Sequence, residues 1–368
     1  NGGTGLLLDG TLAVHGGTLD MSGGDHYIQY SASGTATLEI TEGVLRVGSQ
    51  IRRGLTSTEG ILHYDQSGGT VVAGYNAAPE GNRGVLEVVN DGSSFSHTGG
   101  DLYIARSQSN RSRASLFLDP ATVHQGEDTR IHLGHTVTPA NQIIDIHSTI
   151  ALPNLVVDNS SGQAPKALQT TMPLTVTDSL EIDAGASYDA NSLELTLEGD
   201  LIAQGDFIAS GNTTFFSGNR EQQIIGSAEF WNLTKDQSNT LVIRDDMDVL
   251  NELRLISGTF DDDGNTLHAK GDVWMDATHV FGATGDGISF DGDRLQELRS
   301  PSGTAYFGKI SINNAGGVDS VAVSVPQGND IHINQALQME MGIFDIGKNL
   351  LVLEENAEII ESNAFSSN

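Results

Sequence analysis

Short stretches in which apolar and polar residues alternate recur along the whole chain. In the amino-terminal part "TATLEI" (35–40), "GILHY" (60–64), "GVLEV" (84–88) and "ASLFL" (114–118) lie about one coil apart, with Leu38, Leu62, Leu86 and Leu116 marking the rows. Between them run "VLRVG" (44–48), "TVVAG" (70–74), "DLYIA" (101–105) and "RIHLG" (130–134), each closing on a small residue before a polar loop. Alternation of period two predicts strands with one face inward. Each unit is too small to bury that face alone, so stacking on its neighbours is predicted.

A longer period governs the carboxyl-terminal part. "NQII" (141–144), "QQII" (222–225) and "QEL" (296–298) open three units, followed by "LPNLVVDN" (152–159), "FWNLTKDQ" (230–237) and "FGKISINN" (307–314). Then "LEIDAGASYDANSLEL" (180–195), "LRLISGTFDDDGNTLHA" (253–269) and "LQMEMGIFDIGKNLLVL" (337–353) align. Leu180, Leu253 and Leu337 each precede by five Gly185, Gly258 and Gly342, and Asn191, Asn265 and Asn349 each precede by two Leu193, Leu267 and Leu351. Both leucine rows are expected to point inward. Also shared are an aromatic, an Asp and an Asn: Tyr188, Asp189, Asn191; Phe260, Asp261, Asn265; Phe344, Asp345, Asn349. These residue types favour a turn, since Gly and Asn tolerate positive φ and Asp caps its own turn, with the aromatic packed inward.

Composition narrows the choice of partners. A net charge of −30 repels phosphate backbones and anionic lipid, so neither nucleic acid nor membrane insertion is expected. No apolar run approaches the roughly 20 residues that span a bilayer. With 44 glycines against 8 prolines and abundant Thr, Val, Ile and Leu, many short strands joined by tight turns are favoured. The chain has no cysteine, so no disulfide framework holds it.

The candidate chemistry is sparse. Asp261, Asp262 and Asp263 form a calcium candidate, because hard cations favour clustered carboxylates, but the stretch lacks the twelve-residue loop ending in Glu. The two other units place different residues there, and a solvated turn is the preferred reading; on it, replacing the three by Ser-Asn-Ser leaves melting nearly unchanged. Glycoside hydrolysis needs two spaced carboxylates; Asp245, Asp246 and the Asp261 cluster supply acids, but no "GHG" or "RIK" stands beside them. His132 and His135 lie three apart, which on a strand sends them to opposite faces and argues against one shared ion. Trp231 and Trp274 are candidates for stacking on a sugar, with Trp231 facing opposite to Phe230. Sequons stand at Asn110, Asn159, Asn212 and Asn232.

The carboxyl-terminal units resemble repeats of large secreted surface proteins of Bacteroidetes-type bacteria. The blocks "FSGNREQQII", "FWNL", "LRLISGTF" and "NTLHA" carry the resemblance in the middle unit, and "FDGDRLQEL", "FGKI", "LQMEMGIF" and "NLLVL" in the last. Lys309 departs from the pattern, as does Leu152 in place of an aromatic. Residues 1–135 are similar to glycine-rich coils of autotransporter passengers, and "DSL" (178–180) and "DSV" (319–321) resemble the O-glycosylation motif of such bacteria, though each also reads as a turn. The resemblance implies secretion and a role as adhesin, stalk or filament.

Together these features predict an all-β, elongated, right-handed parallel β-helix. Its coils would hold roughly 20 to 25 residues, giving about 15 or more coils and a rod of about 70 to 80 Å. The expected regions are 1–135, with short-period coils, and 136–368, with units at about 136–200, 201–270 and 271–353. A structural role without catalysis is expected, with coils continuing end to end onto further repeats or copies and surface glycans as further partners. A polysaccharide-acting enzyme or a carbohydrate-binding module is the alternative. The chain reads as a section of a longer polypeptide.

Overall fold

The computed structural model describes residues 4–107, 111–317 and 321–361. The fold is a parallel β-solenoid of about 15 turns, 58 % strand and 1 % helix. The one helical element among the described residues is a 3₁₀ turn, Ala315–Gly317. By contacts the chain forms two compact units, residues 1–195 with 204–207, and residues 196–203 with 208–368.

In the first unit the second strands of the sequence pattern stack residue on residue. Leu45 pairs with Val71, Val71 with Leu102, Leu102 with Ile131, Ile131 with Leu155 and Leu155 with Leu180. All six are fully buried, so one apolar column runs through six turns. Burial of each such side chain is worth roughly 1.5–3 kcal/mol. The strands Arg130–Leu133 and Leu152–Val157 belong to this stack, which therefore passes without a break across residue 135.

The other expected row is inward but not a single column. Leu38, Leu62, Leu86 and Leu116 are all buried, yet Leu62 pairs with Ala36, Leu38 with Tyr64, and Leu86 with Ile51 and Leu116. Turn length explains the slip. Residues 45 to 71 and 71 to 102 are successive partners at offsets of 26 and 31, so a constant period drifts out of column.

The second unit has three strands per turn. Thr259–Asp261, Thr266–Ala269 and Asp272–Met275 pair with Thr278–Val280, Gly287–Phe290 and Gln296–Arg299. Leu253 stacks with Leu233, Val273 and Leu298 on one face. Leu337 instead lies in a column with Met247, Leu267, Ile288, Ile310 and Ile359 on another. The sequence repeat from 253 to 337 thus advances three turns and two faces, so residues equivalent in sequence are not neighbours in space.

The leucine rows need one correction. Leu180, Leu253, Leu337 and Leu267 are buried as expected, but Leu193 is only half-buried, and Leu195 takes the inward place on the strand Leu195–Leu197. Two extra residues lie between Asn191 and that strand, a shift that preserves alternation and so hides in the sequence. Leu351 is also half-buried, because the strand Leu351–Leu353 lies in the last described turn.

The recurring polar residues fasten one turn to the next. Asp189, Asp261 and Asp345 each accept the backbone N–H two residues on, at 2.7, 2.9 and 2.9 Å, which makes three equivalent Asx turns. Asn191, Asn265 and Asn349 donate from Nδ2 to backbone carbonyls of the preceding turn, at Gln169, Ile243 and Val325. Gly185, Gly258 and Gly342 adopt φ of 79°, 74° and 96°, the left-handed region that favours glycine. Tyr188 and Phe260 are buried, while Phe344 is half-buried.

Gln222 and Gln296 close a second set of fastenings. Gln222 donates to Leu197 O and Gly199 O and accepts from Gly218 N and Asn239 Nδ2; Gln296 donates to Ala269 O and Gly271 O and accepts from Gly292 N and Asn314 Nδ2. Both are fully buried. The first unit has no counterpart at this position, because Asn141 stands exposed where the alignment puts the glutamine.

Beside the Gln222 fastening, Lys235 is fully buried and donates from Nζ to Gln237 O and Asn239 Oδ1. Burial holds its ammonium group down to about 8, against an ordinary 10.5. Between those values the unfolded chain binds more protons than the folded one, so folding stability rises with pH. The urea midpoint is expected to gain this contribution between pH 8 and 10, and a Lys235→Met variant to lack it. Equal pH dependence in both proteins would show that Lys235 is not buried in this way.

Candidate functional site

The three aspartates do not converge on a common point. Asp261 Oδ1 accepts from Asp263 N within its own turn, and Asp263 pairs with Arg244 Nη1 at 2.6 Å on the surface. Asp262 turns inward, contrary to the solvated reading, and is 1 % exposed. Its Oδ1 accepts from Gly264 N and Gly282 N, and its Oδ2 takes His279 Nε2 at 3.0 Å. His279 is itself buried, and its Nδ1 accepts from Gly308 N, which fixes the tautomer with the proton on Nε2. One buried carboxylate thus binds its own turn, the loop after the next strand and a core histidine. No group of three or more His, Asp or Glu side chains arranged to hold a metal occurs among the described residues.

Alternation already carried this signal. Phe260 faces inward, so Asp262 two residues on shares its face, and His279 is the partner of Phe260 in the following turn. Three acids in a row obscured it, because consecutive charges read as a solvated turn.

His132 and His135 do not take opposite faces of one strand: the strand ends at Leu133, and both rings pack against Tyr103. His135 Nδ1 accepts from Val137 N beyond the strand, while His132 lies between two carboxylates, with Nε2 3.2 Å from Asp101 Oδ1 and Nδ1 3.2 Å from Asp158 Oδ2. The group therefore ties three successive turns and stacks on Tyr103 at 4.2 Å. Burial by itself raises the Asp158 carboxyl, yet hydrogen bonds from His132 and Ser160 outweigh it and hold the pKa down to about 2. A carboxylate depressed on folding stabilises the fold above its ordinary 3.8, and that share is lost as the pH falls towards 2. The melting temperature is expected to drop across pH 4 to 2, and Asp158→Asn to flatten that drop. An identical acid limb in the variant would contradict the assignment.

One groove gathers acids with basic groups. It encloses about 250 Å³ between Glu229, Asp246, Asp248 and His268. Glu229 and Asp248 are partners in adjacent turns, as are Asp248 and His268. His268 Nδ1 lies 2.7 Å from Asp291 Oδ2, and Lys270 Nζ bonds the same oxygen at 2.9 Å and reaches Asp248 at 3.4 Å. An oriented histidine beside two carboxylates has the parts of proton-transfer chemistry.

The tryptophans are placed differently from each other. Trp231 is exposed and Phe230 buried, as alternation requires. Trp274 is sandwiched, with the guanidinium groups of Arg254 and Arg299 at 4.8 and 5.0 Å from its ring. A stacking sugar would have to displace an arginine. Of the sequons, Asn212 and Thr214 are buried, Asn232 donates to Thr213 Oγ1, and Asn159 donates to Ala184 O. Asn110 lies outside the described residues, as do Asp319 and Ser320 of the second glycosylation-like motif. Ser179 of the first motif sits mid-strand in Leu174–Ile182 and donates to Asn154 Oδ1 at 2.8 Å.

No family model, curated protein or solved structure matches the chain. What fold and side chains define together is a class: a parallel β-solenoid whose repeated polar residues bind backbone.

Proposed function

We propose that the chain is a structural segment of an extracellular surface protein, a stalk, adhesin section or filament building block without catalysis of its own. The observation that carries this is the destination of the repeated side chains. Asp189, Asp261 and Asp345, Asn191, Asn265 and Asn349, and Gln222 and Gln296 all bond to backbone, and the Asn and Gln rows join one turn to another. A repeated ligand site would direct such rows at solvent. End-to-end continuation is part of the proposal. Leu350, Ile359 and Ile360 are exposed in the last described turn, and the strand Glu358–Glu361 pairs with Asp330–Met341. A further parallel strand would cover that edge. Electron microscopy of the native material is expected to show extended rods or filaments with their terminal turns paired. Compact particles whose ends are covered by their own loops would contradict it.

The groove at Glu229, Asp248 and His268 favours a second reading, a polysaccharide-acting enzyme. Release of reducing ends or unsaturated uronates from neutral and acidic polysaccharides, abolished by His268→Ala, would establish that reading in place of the first.

A further inference from the structure

On the second unit a cleft opens beside Trp274. It encloses about 490 Å³ between Trp274, Glu297, Arg299, Pro301, Pro326 and Asn329, which come from three successive turns. All but Pro301 are half-buried. The walls are tied to each other: Ser300 N donates to Asn329 Oδ1 and Asn329 Nδ2 to Pro326 O, so the loop bearing Pro326 is pinned to the strand end bearing Arg299. Ser300 Oγ donates in turn to Asp276 Oδ1 at 2.7 Å, one turn back.

The charges of the cleft are paired. Arg299 donates from Nε to Glu297 Oε2 at 2.8 Å, and across the indole Arg254 pairs with Glu252 at 2.8 Å. Asp272, whose Oδ1 accepts from Glu297 N, adds a third carboxylate, so the neighbourhood carries no positive excess. Among the described residues Glu297 Oε1 and Arg299 Nη1 bond no protein group, which leaves one acceptor and one donor at the rim.

An indole and two proline rings for walls, with a few planar polar groups at the edge, are the composition of a small-ligand site. A pyranose matches it, being apolar across its C–H face and hydroxylated around its edge. The lack of positive excess, in a chain of net charge −30, disfavours uronate and sulfated polymers. Arg299 covers the indole on the cleft side, with its guanidinium 5.0 Å from the ring centroid, and a partly exposed contact of this kind is a weak hold.

We propose that this cleft binds one sugar unit of a neutral β-1,4-linked glycan, which displaces the Arg299 guanidinium from Trp274, stacks on the indole and sets neighbouring hydroxyls on Glu297 and Arg299. Rings whose hydroxyls are all equatorial have the flat face that such stacking needs. The inference stands apart from the structural role, which survives if no glycan binds.

The test is calorimetric titration of the whole chain with cellohexaose and with xylohexaose, beside hexagalacturonate and a proline-rich peptide. Saturable binding of a neutral hexamer at one site, and of neither comparator, is the expected result. In Trp231→Phe the sole remaining tryptophan is Trp274, and its emission is expected to shift on binding with the affinity unchanged. Trp274→Phe, with a smaller ring, is expected to weaken binding about tenfold. No binding of either neutral hexamer, equal affinity in Trp274→Phe, or preferential binding of hexagalacturonate or the peptide would overturn the proposal. If Trp274→Phe does not fold, the emission in Trp231→Phe decides, since binding that leaves it unmoved lies elsewhere.

Discussion

Leu253→Asp is expected to lower the stability of the second unit by about 4 kcal/mol or more, enough to unfold a marginal fold. Leu253 is 1 % exposed and stacks between Leu233 and Val273. A carboxylate there would lie in an apolar column with no cation beside it. Urea unfolding followed by circular dichroism reads the effect directly. A midpoint equal to that of the parent would mean the strand Met247–Leu255 runs in another register, with Leu253 outside.

Asp262→Ala is expected to cost about 3 kcal/mol, whereas Asp261→Ser and Asp263→Ser should each cost less than about 1 kcal/mol. The contrast follows from partners. Asp262→Ala leaves Gly264 N, Gly282 N and the buried His279 Nε2 without an acceptor, while Asp261 caps an exposed turn and Asp263 makes a surface ion pair. Thermal melts of the three variants, in calcium and in chelator, separate the readings. Equal small losses would restore the solvated turn, and a loss at all three that appears only with calcium would indicate an ion.

Alternation of period two made the fold legible in the sequence, because any strand with one wet face must show it. The second strands around Leu45, Val71, Leu102 and Ile131 aligned as they stack. Equivalence between longer units was harder to translate. Leu253 and Leu337 correspond in sequence yet lie on different faces, since a repeat need not be a whole number of turns. The shift from Leu193 to Leu195 was hidden for a related reason, an insertion of two keeping the same parity.

The candidate chemistry was less legible. Asp262 was masked by its charged neighbours, although its parity with Phe260 placed it inward. The ion pairs of buried Glu87 were legible only in part, because Arg83 stands four residues away, whereas Arg53 and Arg113 come from loops of other turns and meet it only after the turns have stacked.

That the recurring polar residues fasten turns is tested most directly by the urea midpoint of Gln296→Ala. Gln296 is fully buried and makes four hydrogen bonds, to Ala269 O, Gly271 O, Gly292 N and Asn314 Nδ2, and alanine would leave all four partners unmatched. A loss of about 2 to 4 kcal/mol is expected from those unmet groups. A variant that unfolds at the parent's midpoint would contradict the fastening role.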